Sequence, residues 1–391
     1  MGTVSIVIII IVVLLVVGVG ICSIIWWSPT LTSPQAPIVV MLAMVAGICS
    51  IIWSYTLTSP SSPQPPIEQT HATVVIIGSG LAGCTTALYL ADNGTPVHLI
   101  EKCGMLGGNS VKASSGINMV VDDEDLDVFK RDTRKAAGRR RTDQHDVRID
   151  ALVDGSRQSV GWLMDRLGIM LDQVVKLGGH STARTHRCSG GMGIGMTIMS
   201  PLIKAVRSHP LITVYTSSMV TSIDRGVETT VFVNDGDREF TTRNLVVATG
   251  GFAACHELVE MYGPSFLKQS TMATTNKAST TGDAIGLLDT PLVDMSEIQV
   301  HPTGFVDPNE PDKTTKILAA EILRSVGGEL KRMSDGSRFC DEMGTRKEVY
   351  EAMRKTGDDA FVLEVPIESA DEVCPTHVDT YVRHGLLTRD E

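Results

Sequence analysis

The first 67 residues contain no Asp, Glu, Lys or Arg, and the first charged side chain is Glu68. Such a stretch does not read as the surface of a water-facing domain. Within it, residues 4–27 are almost wholly apolar and long enough to cross a bilayer, with Trp26 and Trp27 where interfacial aromatics would sit. A second apolar segment, 38–53, is shorter and carries Gly47 and Ser50. The segments share a near-repeat, GICSIIW at 20–26 and 47–53, each followed shortly by TLTSP. Two copies cannot stack a solenoid core, so a duplicated segment end is expected. The resulting expectation is a membrane anchor over 1–56, either a helical hairpin or one span plus an interfacial segment. A Pro/Ser-rich linker follows over 57–71. No Lys or Arg precedes Lys102, so the positive-inside rule has nothing to count, and orientation and organelle stay open. The basic start of a secretory signal and the arginines of a mitochondrial presequence are lacking too, which leaves both readings open.

The eight cysteines, at 22, 49, 84, 103, 188, 255, 340 and 374, form no CxxC pair, so neither a zinc site nor a disulfide framework is indicated. All 45 acids and 34 bases lie from Glu68 onward, so the net charge of −11 belongs to the body of the chain. That balance argues against nucleic acid as a partner. The one basic run, Arg139, Arg140 and Arg141, reads as a solvated face or loop.

What is present is organised around TVVIIGSGLAGCTTALYLADNGTPVHLIE at 73–101. An apolar run leads into Gly78, Ser79, Gly80, Leu81, Ala82 and Gly83, then a helix-like stretch, then a second apolar run ending on Glu101. Strand, glycine turn, helix, strand and acid together make a dinucleotide fingerprint. Gly78 permits the tight turn, Gly80 lets a pyrophosphate approach the backbone, and Gly83 lets the helix lie close to the strand. Phosphates would sit at the helix N-terminus, where unpaired N–H groups and the dipole favour anions. Glu101, 23 residues after Gly78, is placed to accept hydrogen bonds from an adenosine ribose.

Downstream, Lys102, Gly107, Gly108, Asn109 and Ser110, then KASSGIN at 112–118 with Ser114, Ser115 and Gly116, make a loop able to surround a ligand. Together with the fingerprint, GGNS and KASSGIN resemble the FAD-binding loop of the fumarate reductase and succinate dehydrogenase flavoprotein family. The likeness is nearest to its soluble branch in lower eukaryotes. LGGHSTARTHR at 177–187 resembles the family's GGHS…RTHR segment, and cofactor-lining or structural roles are expected for His180 and His186. ATGGF at 248–252, with Ala248, Thr249 and Gly250, resembles the strand that touches the flavin nucleotide. TTNKASTTGD, ending on Asp283, resembles the TTN…ATGDG loop, with Thr280 for Ala and Ala284 for Gly. The resemblance implies an α/β fold: a Rossmann-like FAD domain over 72–297 and an incomplete α+β capping domain over 298–391.

The likeness extends to the reacting end. QVHPTG at 299–304 resembles HPTG, whose His helps to hold a dicarboxylate; AAEILR at 319–324 resembles EALRG; and DGSRFCDE at 335–342 resembles GKRFVNE. Reducing an unsaturated dicarboxylate needs a hydride, a proton and cations that grip carboxylates, and arginine suits the last two tasks. The resemblance implies that Arg338 delivers the proton, that Glu321 and Arg324 reload it, and that His301 holds substrate. Spacing puts Glu321 and Arg324 on one face of a helix, and Asp335-Gly336 is a turn that could fold Arg338 back onto it. Ala320 stands where bacterial relatives carry Thr, Ser325 where Gly is usual, and Cys340 and Asp341 where Val and Asn are usual. Nothing after Glu348 resembles the family's return to the flavin domain, and residues 357–391 read as acidic and loosely patterned.

The expected activity is FAD-dependent reduction of fumarate or a similar dicarboxylate. Succinate dehydrogenase, aspartate oxidase or ketosteroid dehydrogenase chemistry, and a non-catalytic flavoprotein, stay open. With no second nucleotide fingerprint, haem CxxCH or iron–sulfur cysteine set, the donor could be NADH, a free flavin or a redox protein.

Overall fold

The computed structural model describes residues 68–138, 142–189, 193–263, 273–307 and 309–389. The chain divides into units 1–66 and 67–391. The expected anchor, the first part of the linker and the Arg139 to Arg141 run lie outside the described residues. Among the described residues no helix is long and apolar enough to cross a membrane.

The expected linker end is a strand, β1 (Glu68–Ala72), and β2 (Val74–Ile77), α1 (Leu81–Asp92) and β3 (Val97–Ile100) follow as the fingerprint predicts. Next come β4 (Ile117–Asn118), α2 (Asp123–Ala137), α3 (Asp143–Leu167), β5 (Gln173–Val175), β6 (Thr185–Arg187) and α4 (Ile194–Ser208). The middle of the chain supplies β7 (Ile212–Tyr215), β8 (Val220–Arg225), β9 (Thr229–Val233), β10 (Arg238–Thr242), β11 (Leu245–Val247), α5 (His256–Tyr262) and α6 (Asp283–Leu287). The last third holds α7 (Ile322–Ser325), β12 (Glu329–Arg332), α8 (Arg346–Thr356), β13 (Phe361–Glu364), α9 (Ile367–Val373) and α10 (Pro375–Arg383).

The central sheet is parallel, in the order β11-β2-β3-β7. All four residues of β2 are buried, as expected of a parallel strand covered on both faces. Alternation sends Val74 and Ile76 to one face, where Leu88 of α1 and Met199 and Leu202 of α4 meet Leu99. Val75 and Ile77 go to the other, against Val231, Val233 and Phe240 of a second sheet. That sheet has the order β1-β10-β9-β8 and pairs β1 parallel to β10. Burying each leucine of this core stabilises the fold by about 1.5–3 kcal/mol. The sandwich fixes the glycine turn after β2 between two packed layers.

Two features matter for the site. Residues 126–137 and 143–167 fall in two long helices, α2 and α3. Asp122 caps α2 by accepting from the Asp125 amide at 2.9 Å, and α3 starts on a Thr142/His145 capping box. The loosely patterned 357–389 stretch is β13, α9 and α10. Ala370, Cys374, Val378 and Tyr381 are buried there against Leu177, Ala319, Ala320, Ile322 and Leu323. Tyr381 Oη accepts from the Ala320 amide at 3.2 Å and donates to the Leu318 carbonyl at 3.0 Å. The C-terminal helices thus brace the 318–323 segment, which carries the reacting end.

Candidate active site

At the turn after β2, Gly78 has φ +98°, and a Cβ there would lie 2.5 Å from the Ala248 carbonyl oxygen. At Gly83 a Cβ would lie 1.9 Å from the Gly78 carbonyl oxygen, so α1 starts directly against the turn. Its N-cap, Gly80, has no side-chain cap, and the Leu81 amide takes Ser110 Oγ at 3.0 Å.

The turn opens on a cavity of about 610 Å³ lined by Gly78, Gly80, Leu81, Ala82, Glu101, Lys102, Gly108, Asn109, Ser110, Ala248, Thr249, Gly250 and Asp283. Four other expected cofactor residues act behind this wall or beside it. Gly83 and Gly107 (φ +115°) shape turns, and a Cβ at Gly116 would strike Thr185 Cγ2 at 2.4 Å. Ser115 Oγ accepts from the Ile322 amide at 3.2 Å, tying the flavin loop to α7. Ser114 does not line the cavity. Sequence reasoning missed Lys112, Thr275, Asn276, Thr280 and Leu318 as lining residues. The TTN spacing signalled the first loop pair, and nothing signalled Leu318.

Glu101 is buried, and its carboxylate already accepts from the Ser79 amide (3.0 Å), Ser79 Oγ (2.5 Å) and the Cys103 amide (2.8 Å). It therefore braces the glycine turn and keeps about one acceptor position for a ribose hydroxyl. Lys102 Nζ donates to Asp283 at 2.6 Å and Thr281 at 2.7 Å. Burial would raise the Asp283 carboxyl, but these contacts outweigh it and hold the group below its usual range. Side-chain-free backbone at Gly78, Gly80, Gly108, Gly250 and Gly251, a helix start with glycine at its N-cap and an acid at the second strand end fit FAD.

Of the reacting-end residues, Glu321 and Arg324 lie on the 318–324 segment, with Leu318 lining the first cavity and Glu321 a second of about 590 Å³; neither cavity is lined by His301 or Arg324. The Glu321 carboxylate is buried; Arg346 Nη2 donates to it at 3.0 Å, and Arg324 Nη2 pairs with its other oxygen at 3.2 Å. The expected one-face pair is real, and it is buried. Arg324 is 2% exposed, and its Nε and Nη2 have no aligned hydrogen-bond partner among the described residues. Burial, then the nearby Arg346 charge, pushes the His301 imidazole down to about 4, so it is neutral at pH 7.

Arg338 lies elsewhere. Gly336 (φ +72°) turns the chain back so that Arg338 pairs with Lys331 of β12. Its half-exposed guanidinium donates to Glu342 at 2.6 Å and lies 3.7 Å from Glu329. Neither cavity is lined by Arg338. A nearer acid four residues on takes the cation that the motif assigned to Glu321. Arg346, at the start of α8, occupies that place instead.

His180 and His186 have structural partners. His186 Nδ1 lies 2.9 Å from the Arg184 carbonyl, and His180 Nδ1 lies 2.7 Å from Arg184 Nη1. Arg184 is fully buried between Asp125 (2.7 Å) and Asp132 (2.6 Å).

A profile of the FAD binding domain matches residues 73–361. Fumarate reductase 1 of Saccharomyces cerevisiae is 38% identical over 304 residues, covering 72% of this chain and 63% of that protein. The fumarate reductase of Schizosaccharomyces pombe is 32% identical over 342 residues, covering 81% of this chain and 65% of that protein. The open conformation of a flavocytochrome c3 fumarate reductase superposes with a TM-score of 0.59 at 27% identity, over 78% of this chain and 53% of that one. The chain thus spans somewhat under two thirds of the two yeast relatives' length. FAD is its cofactor, and the chain belongs to the fumarate reductase and succinate dehydrogenase flavoprotein family.

Proposed function

We propose that this flavoprotein reduces fumarate, or a similar unsaturated dicarboxylate, to succinate beside the 318–324 segment. One observation carries the reading: Arg324 is buried with two unaligned donor nitrogens beside Glu321, Arg346 and neutral His301, on the segment that borders both cavities. A buried guanidinium with spare donors favours a carboxylate, because leaving those donors unmet costs about 1–3 kcal/mol or more. Since His301 is neutral, it can orient substrate by a hydrogen bond, and the holding charge comes from the arginines. Bound FAD would supply the hydride.

The sequence motif assigns proton delivery to Arg338. Glu342 holds it beside the Glu321–Arg324 pair, since its carboxylate accepts from Arg338 and its backbone carbonyl accepts from Arg324 at 2.5 Å. A second reading gives that task to Arg346, favoured by its direct 3.0 Å contact with Glu321. Fumarate-dependent reoxidation of the reduced holoprotein separates them. Removing the proton-delivering cation should lower the rate about 10²-fold or more, with flavin retained, and removing the other should change it little. Loss in Arg338→Ala alone supports the motif, loss in Arg346→Ala alone supports the second reading, and no fumarate-dependent reoxidation by the wild type sinks the reductase function.

We also propose that the charge-free N-terminal segment anchors the protein to a membrane, with NADH, a free flavin or a redox protein as donor. Recovery of the full chain in the carbonate-washed soluble fraction would refute the anchor.

A further inference from the structure

The second cavity contains two hydrogen-bond donors aimed at each other. Arg184 Nη1 lies 2.7 Å from His180 Nδ1. Arginine keeps its protons, so Nδ1 must accept and the single imidazole proton sits on Nε2. Asn118 is fixed in the same way. Thr185 Oγ donates to its Oδ1 at 2.6 Å, a length that suits O–H···O and falls below the N–H···O range of about 2.7–3.2 Å. The Asn118 amide nitrogen is thereby turned toward His180 Nε2, 3.5 Å away. Two N–H donors at that distance do not bond to each other; each needs an acceptor.

Both residues line the cavity of about 590 Å³ that also holds Arg346 and Lys347. Its acids are already engaged: Glu321 by Arg346 and Arg324, Asp132 by Arg184 and Ser181. The unmet demand is for an oxygen acceptor. We propose that Asn118 and His180 form a carboxylate-binding subsite of the second cavity, which takes one carboxylate of the substrate; this rests on the dicarboxylate reading above. Burial, then the Arg184 charge, lowers the His180 pKa. The subsite therefore works by neutral N–H donation, with charge from Arg346 and Lys347. Phe129, Leu163 and Leu177 supply the apolar part of the same wall.

Calorimetric titration of the oxidised, FAD-loaded full chain with succinate tests this. Asn118→Ala and His180→Ala should each weaken succinate binding about tenfold to a hundredfold, as expected for lost hydrogen bonds to a charged group, with unchanged flavin spectrum. His180→Gln, which keeps a donor near the Nε2 position, should restore most of the affinity. A merely structural role would not separate Gln from Ala in this way. Wild-type affinity in both alanine variants overturns the subsite, even if fumarate is reduced. Weakened succinate binding in a protein that never reduces fumarate keeps the subsite and discards the reductase function.

Discussion

Replacing Arg184 with Met removes the cation that bridges a buried acidic pair. The side chain is fully buried, with Nη2 2.7 Å from Asp125, Nη1 2.6 Å from Asp132, and the guanidinium 4.8 Å from the Phe129 ring centre. Asp125 and Asp132 are 5% and 8% exposed, so neither can turn to bulk water when the arginine goes. Removing one partner of such a network costs about 3–5 kcal/mol, a large share of the roughly 5–15 kcal/mol by which a domain is stable. For a body of this size that corresponds to a melting temperature lower by roughly 4–7 °C. Burial works against ionising both carboxyls, but the Arg184, Ser181 and Thr182 contacts outweigh it and hold them below the usual 3.8. Their contribution is therefore present above about pH 4 and fades as pH falls through the depressed folded-state values. In Arg184→Met the arginine's share is lost, and only the Ser181, Thr182 and Val121 hydrogen bonds still oppose burial. The difference between the two proteins should be widest at neutral pH and shrink below about pH 4. Scanning calorimetry of the full chain at pH 3.5 and pH 7 measures it. A loss below 1 kcal/mol at pH 7, or one independent of pH, would refute the account. Adding Asp125→Asn and Asp132→Asn should recover much of the lost stability, because no unpaired charge then remains buried.

Gly83→Ala should leave the protein folded but weaken FAD binding. Its methyl would need to displace the Gly78 carbonyl oxygen 1.9 Å away, and overpacking of about 1–3 kcal/mol corresponds to roughly a five- to hundredfold higher dissociation constant in a flavin-release titration. Unaltered flavin affinity would mean that the turn does not shape the nucleotide site. Tyr381→Phe strips the Ala320 amide and Leu318 carbonyl of their shared hydroxyl; the expected cost is about 1–3 kcal/mol in stability. Fumarate turnover should fall with it, because the braced segment carries Glu321 and Arg324. Full turnover in a destabilised Tyr381→Phe would show that the C-terminal helices brace the fold and not the chemistry.

How far the sequence disclosed this arrangement depended on whether the interaction was local. The βαβ unit was legible because each glycine answers a constraint a few residues away: Gly78 its own positive φ, Gly83 the carbonyl of Gly78. The two-face alternation of Val74 to Ile77 was likewise written into four consecutive residues. The C-terminal core was readable in principle, since Ala370, Cys374, Val378 and Tyr381 recur at spacings of four, four and three. Pro375 breaks the run into two short helices, and the small or polar types at those places do not resemble a core stripe.

Long-range pairing was where reading the chain failed, and the arginines show why. Arg338 and Arg346 are both cations a few residues from an acid, and motif position favoured the first. In the folded chain Glu342 claims Arg338 at close sequence separation, whereas Glu321 reaches across 25 residues to Arg346. The buried face of α2 is harder still. Asp125, Phe129 and Asp132 fall on one side of the helix, but two acids flanking an aromatic read as a solvated face until Arg184 arrives from more than fifty residues away. Once that arginine is in place it fixes the proton of His180, and so determines which atom faces the second cavity. The site's hydrogen-bonding polarity is therefore set by a charge network centred on Arg184, which lines neither cavity, and no motif spans residues so far apart.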